Sequence, residues 1–272
     1  MGAIPPQERQ RLALALAQIA LDAGAAIMTI YAQPFEVRTK DDKSPVSEAD
    51  EAAEAIIIAA VQTLLPDWCI MAEEACARDG VPDAHSHMIV IDPLDGTKEF
   101  IAKRDEFTVN IALVVDGVPE VGCVYAPALK ALYLGGDGAW MAHAAPGATL
   151  DPATLTRIAC RAYPADGMTA VMSRSHADAE TESFAAALPV VEKVSAGSSL
   201  KFCLVAEGKA DVYPRFGPTM EWDTAAGHAV VAAAGGRVVN PDGTPFRYGK
   251  TETKYLNGPF AVWGGDILAK AA

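Results

Sequence analysis

Ile89-Val90-Ile91-Asp92-Pro93-Leu94-Asp95-Gly96-Thr97-Lys98-Glu99-Phe100 is the stretch on which the reading of this chain turns. An apolar, β-branched run leads into two aspartates, a proline, a glycine and a hydroxyl, the pattern of a buried strand delivered into a polar turn. Two carboxylates so close repel each other unless a cation lies between them, and a divalent metal is the natural neutraliser. Pro93 fixes φ and supplies no N–H, while Gly96 can adopt backbone angles closed to other residues. The turn can therefore aim the Leu94 carbonyl, a hard oxygen ligand suited to Mg²⁺ or Mn²⁺, toward the same point as both carboxylates. The N–H groups of Gly96 and Thr97 then face an anion, and a helix starting at Thr97 adds the positive end of its dipole. Metal and phosphate together point to phosphoryl chemistry. The competing reading is an acidic surface turn that closes a hairpin.

The remainder of the 272 residues decides between the two. An apolar fraction of 51% supports a sizeable core, and the length suits one α/β unit in two halves, an antiparallel-rich half over about 1–145 and an alternating half over about 146–272. Lys plus Arg number 22 against 35 Asp plus Glu, a net charge of −13 that disfavours polymeric nucleic acid as a partner. Five scattered cysteines with no Cys-x-x-Cys pair read as reduced thiols rather than a zinc site or disulfide framework. With an N-terminus lacking a signal-peptide pattern, they place the chain in the cytoplasm, peripheral association with the inner membrane being compatible. Residues 12–30 are apolar but interrupted by Gln18 and Asp22, which favours a buried amphipathic helix over a transmembrane span.

In chain order, Gln7 to about Gln33 reads as a first helix stopped by Pro34, and Phe35–Arg38 as a short extended piece. Thr39–Pro45 is charged, without an apolar anchor, and reads as a mobile loop. Ser47 and Asp50 form a capping-box pattern opening a helix that reaches about Leu65, so Asp50 has a purely structural reading as a cap. Trp68–Ala72 reads as a strand that delivers Glu73-Glu74 either to solvent or to the metal turn, followed by a loop over 77–87 in which His85 and His87 are surface residues. Asp116-Gly117 and Gly135–Gly138 mark two hairpins. Beyond them, strands at 169–172, 190–194, 210–213, 237–239 and 260–263 alternate with helices at 176–188, 199–207, 223–234 and 267–271. Asp223 opens the third of these helices, where the small residues Ala225, Ala226 and Gly227 allow close approach to the Asp92 turn, and His228 reads as packing.

Asp50, Glu73-Glu74, Asp92-Pro-Leu-Asp95-Gly96-Thr97 and Trp222-Asp223-Thr-Ala-Ala-Gly, in this order, resemble the signature of the inositol monophosphatase superfamily of metal-dependent, lithium-sensitive phosphatases. The resemblance spans essentially the whole chain and implies an α/β layered sandwich of alternating helix and sheet layers, like inositol monophosphatase and fructose-1,6-bisphosphatase. Gly96-Thr-Lys98-Glu-Phe100, Ser173-Arg174-Ser-His176, Gly197-Ser-Ser-Leu-Lys201-Phe and Tyr213-Pro-Arg215-Phe-Gly217-Pro resemble the CysQ-type 3'(2'),5'-bisphosphate nucleotidase branch, whose substrate is 3'-phosphoadenosine 5'-phosphate. The resemblance implies that Glu73, Asp92 and the Leu94 carbonyl hold one Mg²⁺, and Asp92, Asp95 and Asp223 a second. A third, weaker ion would be associated with the 40–44 loop, and Mn²⁺ could substitute. It further implies that Asp50 and Thr97, with Glu73 nearby, orient and deprotonate the attacking water, without a phosphoenzyme. Gly96, Thr97, Ser198, Lys201, Arg215 and Asp223 are the expected substrate contacts.

Lys201 and Arg215 are the residues that favour a bisphosphorylated nucleotide over inositol monophosphate or another small sugar phosphate, because two cations in an acidic protein suit a second phosphate. An aspartyl-nucleophile phosphatase requires Asp-x-Asp, and here the spacing is Asp-x-x-Asp. A non-catalytic metal- or nucleotide-binding protein would share the acidic turn but would need neither Asp50 nor Thr97. Monomer and homodimer are equally compatible with the sequence.

Overall fold

Helix α1 (Pro6–Tyr31) is followed by the paired short strands β1 (Val37–Thr39) and β2 (Pro45–Ser47) and by α2 (Glu48–Leu64). Next come β3 (Cys69–Ala72), α3 (Glu73–Asp79), β4 (His87–Asp95) and α4 (Thr97–Ile101). A meander continues through β5 (Thr108–Val115), β6 (Val118–Ala126), β7 (Ala131–Gly136), β8 (Gly138–His143) and β9 (Thr156–Ile158). The second half contains β10 (Met168–Ser173), α5 (Ala179–Ala186), β11 (Val190–Ala196), α6 (Leu200–Ala206) and β12 (Val212–Arg215). It ends with β13 (Thr219–Met220), α7 (Ala225–Ala233), β14 (Arg237–Val239), β15 (Leu256–Asn257) and β16 (Phe260–Trp263). The computed structural model describes residues 2–35, 37–39, 45–173 and 178–265. Of the loop expected over Thr39–Pro45, Thr39 and Pro45 pair as the ends of β1 and β2, and residues 40–44 lie outside the described residues, as do residues 174–176 of the 173–176 motif and the helix expected at 267–271.

Strands β3 to β9 form a seven-stranded sheet in sequence order, antiparallel except for the parallel β3–β4 pair. A five-stranded sheet runs β11-β10-β12-β16-β14. Side chains alternate across a strand, so each sheet divides its apolar residues between two neighbours. Ile89, Ile91, Val109, Ile111 and Leu113 face α1 and α2, whereas Met88, Val90, Ala112 and Val114 face α6 and α7. In the second sheet Val171 and Val262 face α6 and α7, and Met168, Ala170 and Met172 join Ala185 of α5 on the other side. The result is five layers, helix–sheet–helix–sheet–helix, the architecture the resemblance implies.

α1 is long and apolar enough to cross a membrane, but half of its apolar stretch is buried inside the fold, against α2, β6 and β7. The sequence reads Trp68–Ala72 as a strand and residues 77–87 as a loop. In the structure β3 begins at Cys69, and Glu73–Asp79 is a helix whose first residue is Glu73. No local cap announces this helix, since its N-cap is Ala72. The cap comes from α2, where the buried Glu54 carboxylate accepts the N–H of Glu74 at 2.8 Å. Desolvation raises Glu54 to about 7, with repulsion from Glu74 adding to it.

α7 approaches the first sheet over a pair of glycines. Gly122 of β6 and Gly135 of β7 are cross-strand partners, and a Cβ on them would lie 2.4 Å from the Ala226 carbonyl oxygen and 2.5 Å from that of Ala229, respectively. The small residues of α7 therefore serve this contact, and Gly227 fits against Phe202 of α6. Gly135→Ala is expected to destabilise the protein by about 1–3 kcal/mol, as overpacking of a rigid backbone contact does, and to lower the melting temperature by several degrees. An unchanged melt would show that α7 can shift at no cost.

Candidate active site

β4 does not end before the metal turn but carries it. Asp92 pairs with Asn110 and Asp95 with Thr108, so three steps on β4 match two on β5, a β-bulge at Pro93-Leu94. In a regular strand, residues three apart would point to opposite faces. The bulge resets the parity, so Leu94 joins the α1–α2 core while Asp92 and Asp95 share the face turned toward α6 and α7. Pro93 has no N–H to lose from the ladder. Gly96, at φ +93°, then turns the chain into α4 at Thr97.

A cleft of about 260 Å³ opens at this point. Glu73, Asp95, Gly96, Thr97, Ser198, Lys201, Arg215 and Asp223 line it, while Asp50, Asp92 and Leu94 are buried. All the residues singled out from the sequence for metal, catalysis or substrate therefore belong to one neighbourhood.

The two oxygens of Asp50 face different partners. Oδ2 accepts the Ser47 N–H at 2.8 Å and the Ser47 hydroxyl at 2.7 Å, completing the capping box. Oδ1 faces Thr97, whose Oγ1 lies 3.3 Å from it and 3.3 Å from the Leu94 carbonyl. A carboxylate held by its own helix start thus presents its second oxygen to a hydroxyl at the mouth of the turn.

Burial pushes the Asp92 carboxyl well above the ordinary carboxylate range, and Glu73, Asp95, Asp223 and Asp50 push it further. Burial, Asp95 and Glu73 act on Asp223 in the same direction. As placed, no three His, Cys, Asp or Glu side chains among the described residues enclose a cation position. Asp95 Oδ2 accepts from Ser198 at 2.9 Å and Ser199 at 3.0 Å, Asp223 Oδ2 from the Met220 N–H at 2.7 Å, and Asp92 Oδ1 from the Leu94 N–H at 3.0 Å. The donor chemistry nonetheless fits hard divalent ions, because the four groups that repel the Asp92 carboxyl are themselves carboxylates and the Leu94 carbonyl belongs to the same turn.

Two cations stand beside this acidic group. Lys201 and Arg215 are each 7% exposed. Burial brings Lys201 down to about 8, Asp95 opposing that shift and Arg215 adding to it. Lys201 donates to the Ser198 carbonyl, and Arg215 to the carbonyls of Gly217 and Pro218, both at 3.1 Å. Ser198 sits at φ +53°, which only a few non-glycine residues adopt.

The sequence reading missed the polar network that holds Asp95. Asn110 Nδ2 donates to Ser199 Oγ at 2.9 Å, and Thr108 Oγ1 to Asn110 Oδ1 at 3.1 Å. Thr108 also contacts the Ser198 hydroxyl, and Ser199 Oγ reaches the Asp223 carbonyl at 2.9 Å. The available signal was two polar residues with alternate spacing in an otherwise apolar strand. His228 packs against Tyr248, with burial lowering it to about 3, as its reading as a packing residue requires. His87 opens β4 and its ring meets that of Trp68. The five cysteines are free thiols.

A model of the inositol monophosphatase family matches residues 8–262. The 3'(2'),5'-bisphosphate nucleotidase CysQ of Escherichia coli K12 is 45% identical over 248 residues, covering 90% of this chain and 96% of that protein. The crystal structure of CysQ from Bacteroides thetaiotaomicron, a bacterial member of the same family, is similar with a TM-score of 0.79 at 40% identity, covering 94% of this chain and 97% of its own. An inositol monophosphatase from Anabaena is similar with a TM-score of 0.72 at 26% identity, covering 96% and 94%.

Proposed function

The chain belongs to the inositol monophosphatase family, and from that premise we propose that it is a Mg²⁺-dependent 3'(2'),5'-bisphosphate nucleotidase that converts 3'-phosphoadenosine 5'-phosphate into AMP and phosphate. The observation that carries the choice of substrate is the buried pair Lys201 and Arg215 next to the acidic group. Arg215 adds to the cost of holding a charge on buried Lys201, and an anionic group beside them would offset it. A substrate with one phosphate for the carboxylate side and a second for these cations fits that arrangement, and an otherwise neutral polyol does not use it.

Glu73, Asp92 and the Leu94 carbonyl would hold one Mg²⁺, and Asp92, Asp95 and Asp223 another. When bound, the ions supply charge neutralisation at the phosphoryl oxygens and the departing alkoxide and acidify the attacking water. Thr97 Oγ1 receives a proton from the water and passes its own to Asp50 Oδ1. The water oxygen forms its bond to phosphorus as the bond from phosphorus to O3' breaks; O3' takes a proton from solvent, and Asp50 returns its proton to solvent. The N–H groups of Gly96 and Thr97, at the start of α4, orient the phosphoryl oxygens.

The same reading gives a pH dependence. The free enzyme's Lys201 is protonated below about 8 and loses its charge above it. KM for 3'-phosphoadenosine 5'-phosphate is therefore expected to rise as pH passes through about 8, with kcat changing little, and Lys201→Met should have a raised KM that no longer responds over that interval. A KM profile identical in wild type and Lys201→Met would remove Lys201 from substrate binding.

A further inference from the structure

Tyr213 follows the pattern of a buried tyrosine in every respect but one. Its ring is packed between Phe202, at 5.3 Å, and Phe260, at 5.8 Å, and the residue is only 3% exposed. A buried phenol ordinarily hands its hydroxyl to a protein acceptor. Tyr125 gives its hydroxyl to the Ala144 carbonyl at 2.8 Å, Tyr255 to that of Pro82 at 2.6 Å, and Tyr248 to Thr224 at 3.2 Å. Among the described residues the Tyr213 hydroxyl has no such partner, and it is not sealed away from solvent either.

The small surface Tyr213 keeps is on the cleft, which it lines together with Lys201 and Arg215. Tyr213 and Arg215 are two apart on β12 and so face the same side of the sheet, and the Lys201 ammonium stands 5.5 Å from the Tyr213 ring centroid. Burial holds the phenol above its ordinary range, so at neutral pH it retains its proton and can donate. A neutral donor that lines the same cleft as two cations has an anion as its natural acceptor.

We propose that the Tyr213 hydroxyl is a specificity-determining group that donates to the phosphate the enzyme does not cleave, completing with Lys201 and Arg215 a three-point site for a second phosphate. This rests on the nucleotidase reading above. The role is binding and discrimination; Tyr213 takes no part in breaking the bond to phosphorus.

Tyr213→Phe removes the hydroxyl and keeps the ring that Phe202 and Phe260 pack against. Three measurements on wild type and variant test the proposal: calorimetric titration with AMP, which carries only the uncleaved phosphate; steady-state kinetics with 3'-phosphoadenosine 5'-phosphate; and the same with adenosine 3'-phosphate, which lacks the second phosphate. The expected result is an AMP Kd and a bisphosphate KM raised about tenfold, with adenosine 3'-phosphate kinetics, kcat and melting temperature unchanged. An AMP Kd unchanged in the variant, or equal losses with both substrates, would overturn the proposal. If wild type bound AMP but hydrolysed neither substrate, the nucleotidase reading would fail while the AMP titration still decided the role of Tyr213.

Discussion

Asp223→Asn is expected to lower kcat by about a thousandfold or more while raising the melting temperature in EDTA. Asp223 is buried beside Asp95 and Glu73, so its ionised form is opposed by desolvation and by two like charges. Its one backbone partner, the Met220 N–H, is an acceptor contact that an asparagine oxygen can reproduce. The substitution thus relieves repulsion at no cost in hydrogen bonding, and each kcal/mol recovered is worth roughly 2–4 °C in a chain of this size. It also removes one anionic ligand from the second metal position, so wild type should gain more thermal stability from added Mg²⁺ than the variant does. Opposite signs on activity and stability are what a site built to hold cations should give. α7 starts at Ala225, with Thr224 as its N-cap, so Asp223 lies in the turn before it rather than opening the helix, and a variant that melts lower in EDTA, or that keeps its turnover, would show that Asp223 only holds that turn through the Met220 N–H.

Asp50→Asn and Thr97→Ala are each expected to reduce kcat by about 10²–10⁴, the range for loss of a positioned base, with KM changing less than about threefold. The Ser47 N–H and hydroxyl fix one oxygen of Asp50, so the other is presented to Thr97 without rotamer freedom. Two groups that move one proton act as a unit, and the double variant should be little worse than either single one. Independent, multiplying losses would separate them. Asn in place of Asp50 must keep an oxygen toward the Ser47 N–H to preserve the cap, and a melting temperature within a few degrees of wild type would show that it does.

What the sequence disclosed and what it withheld divide along physical lines. Signals carried by neighbouring residues were legible: the Ser47–Asp50 capping box, the Asp116-Gly117 hairpin with both residues at positive φ, and the apolar periodicity that built the layers. The acidic turn was legible as chemistry, but its geometry was not. Asp92 and Asp95 share a face only because β4 bulges against β5, and that register is set by pairing rather than by either strand alone. Glu73 does leave a strand, but the helix it opens was not legible, because that helix is capped by Glu54, 20 residues before Glu74 on another helix. The polar network that orients Asp95 joins Asn110 to Ser199 across 89 residues, a distance no local pattern spans. The strands β13 and β15, two residues each, are too short to leave a period. Tyr213 stands in one of the motifs, yet its distinguishing feature, a hydroxyl with no protein acceptor among the described residues, exists only once the chain is folded.

The nucleotidase reading meets its most direct test in phosphate release with Mg²⁺ from 3'-phosphoadenosine 5'-phosphate and from inositol 1-phosphate, run in parallel at equal concentration. A kcat/KM at least about tenfold higher for the nucleotide, some 1.4 kcal/mol of transition-state binding, is the expected result. The reverse preference would leave the carboxylate group and the Asp50–Thr97 pair in place but contradict the role given to Lys201 and Arg215.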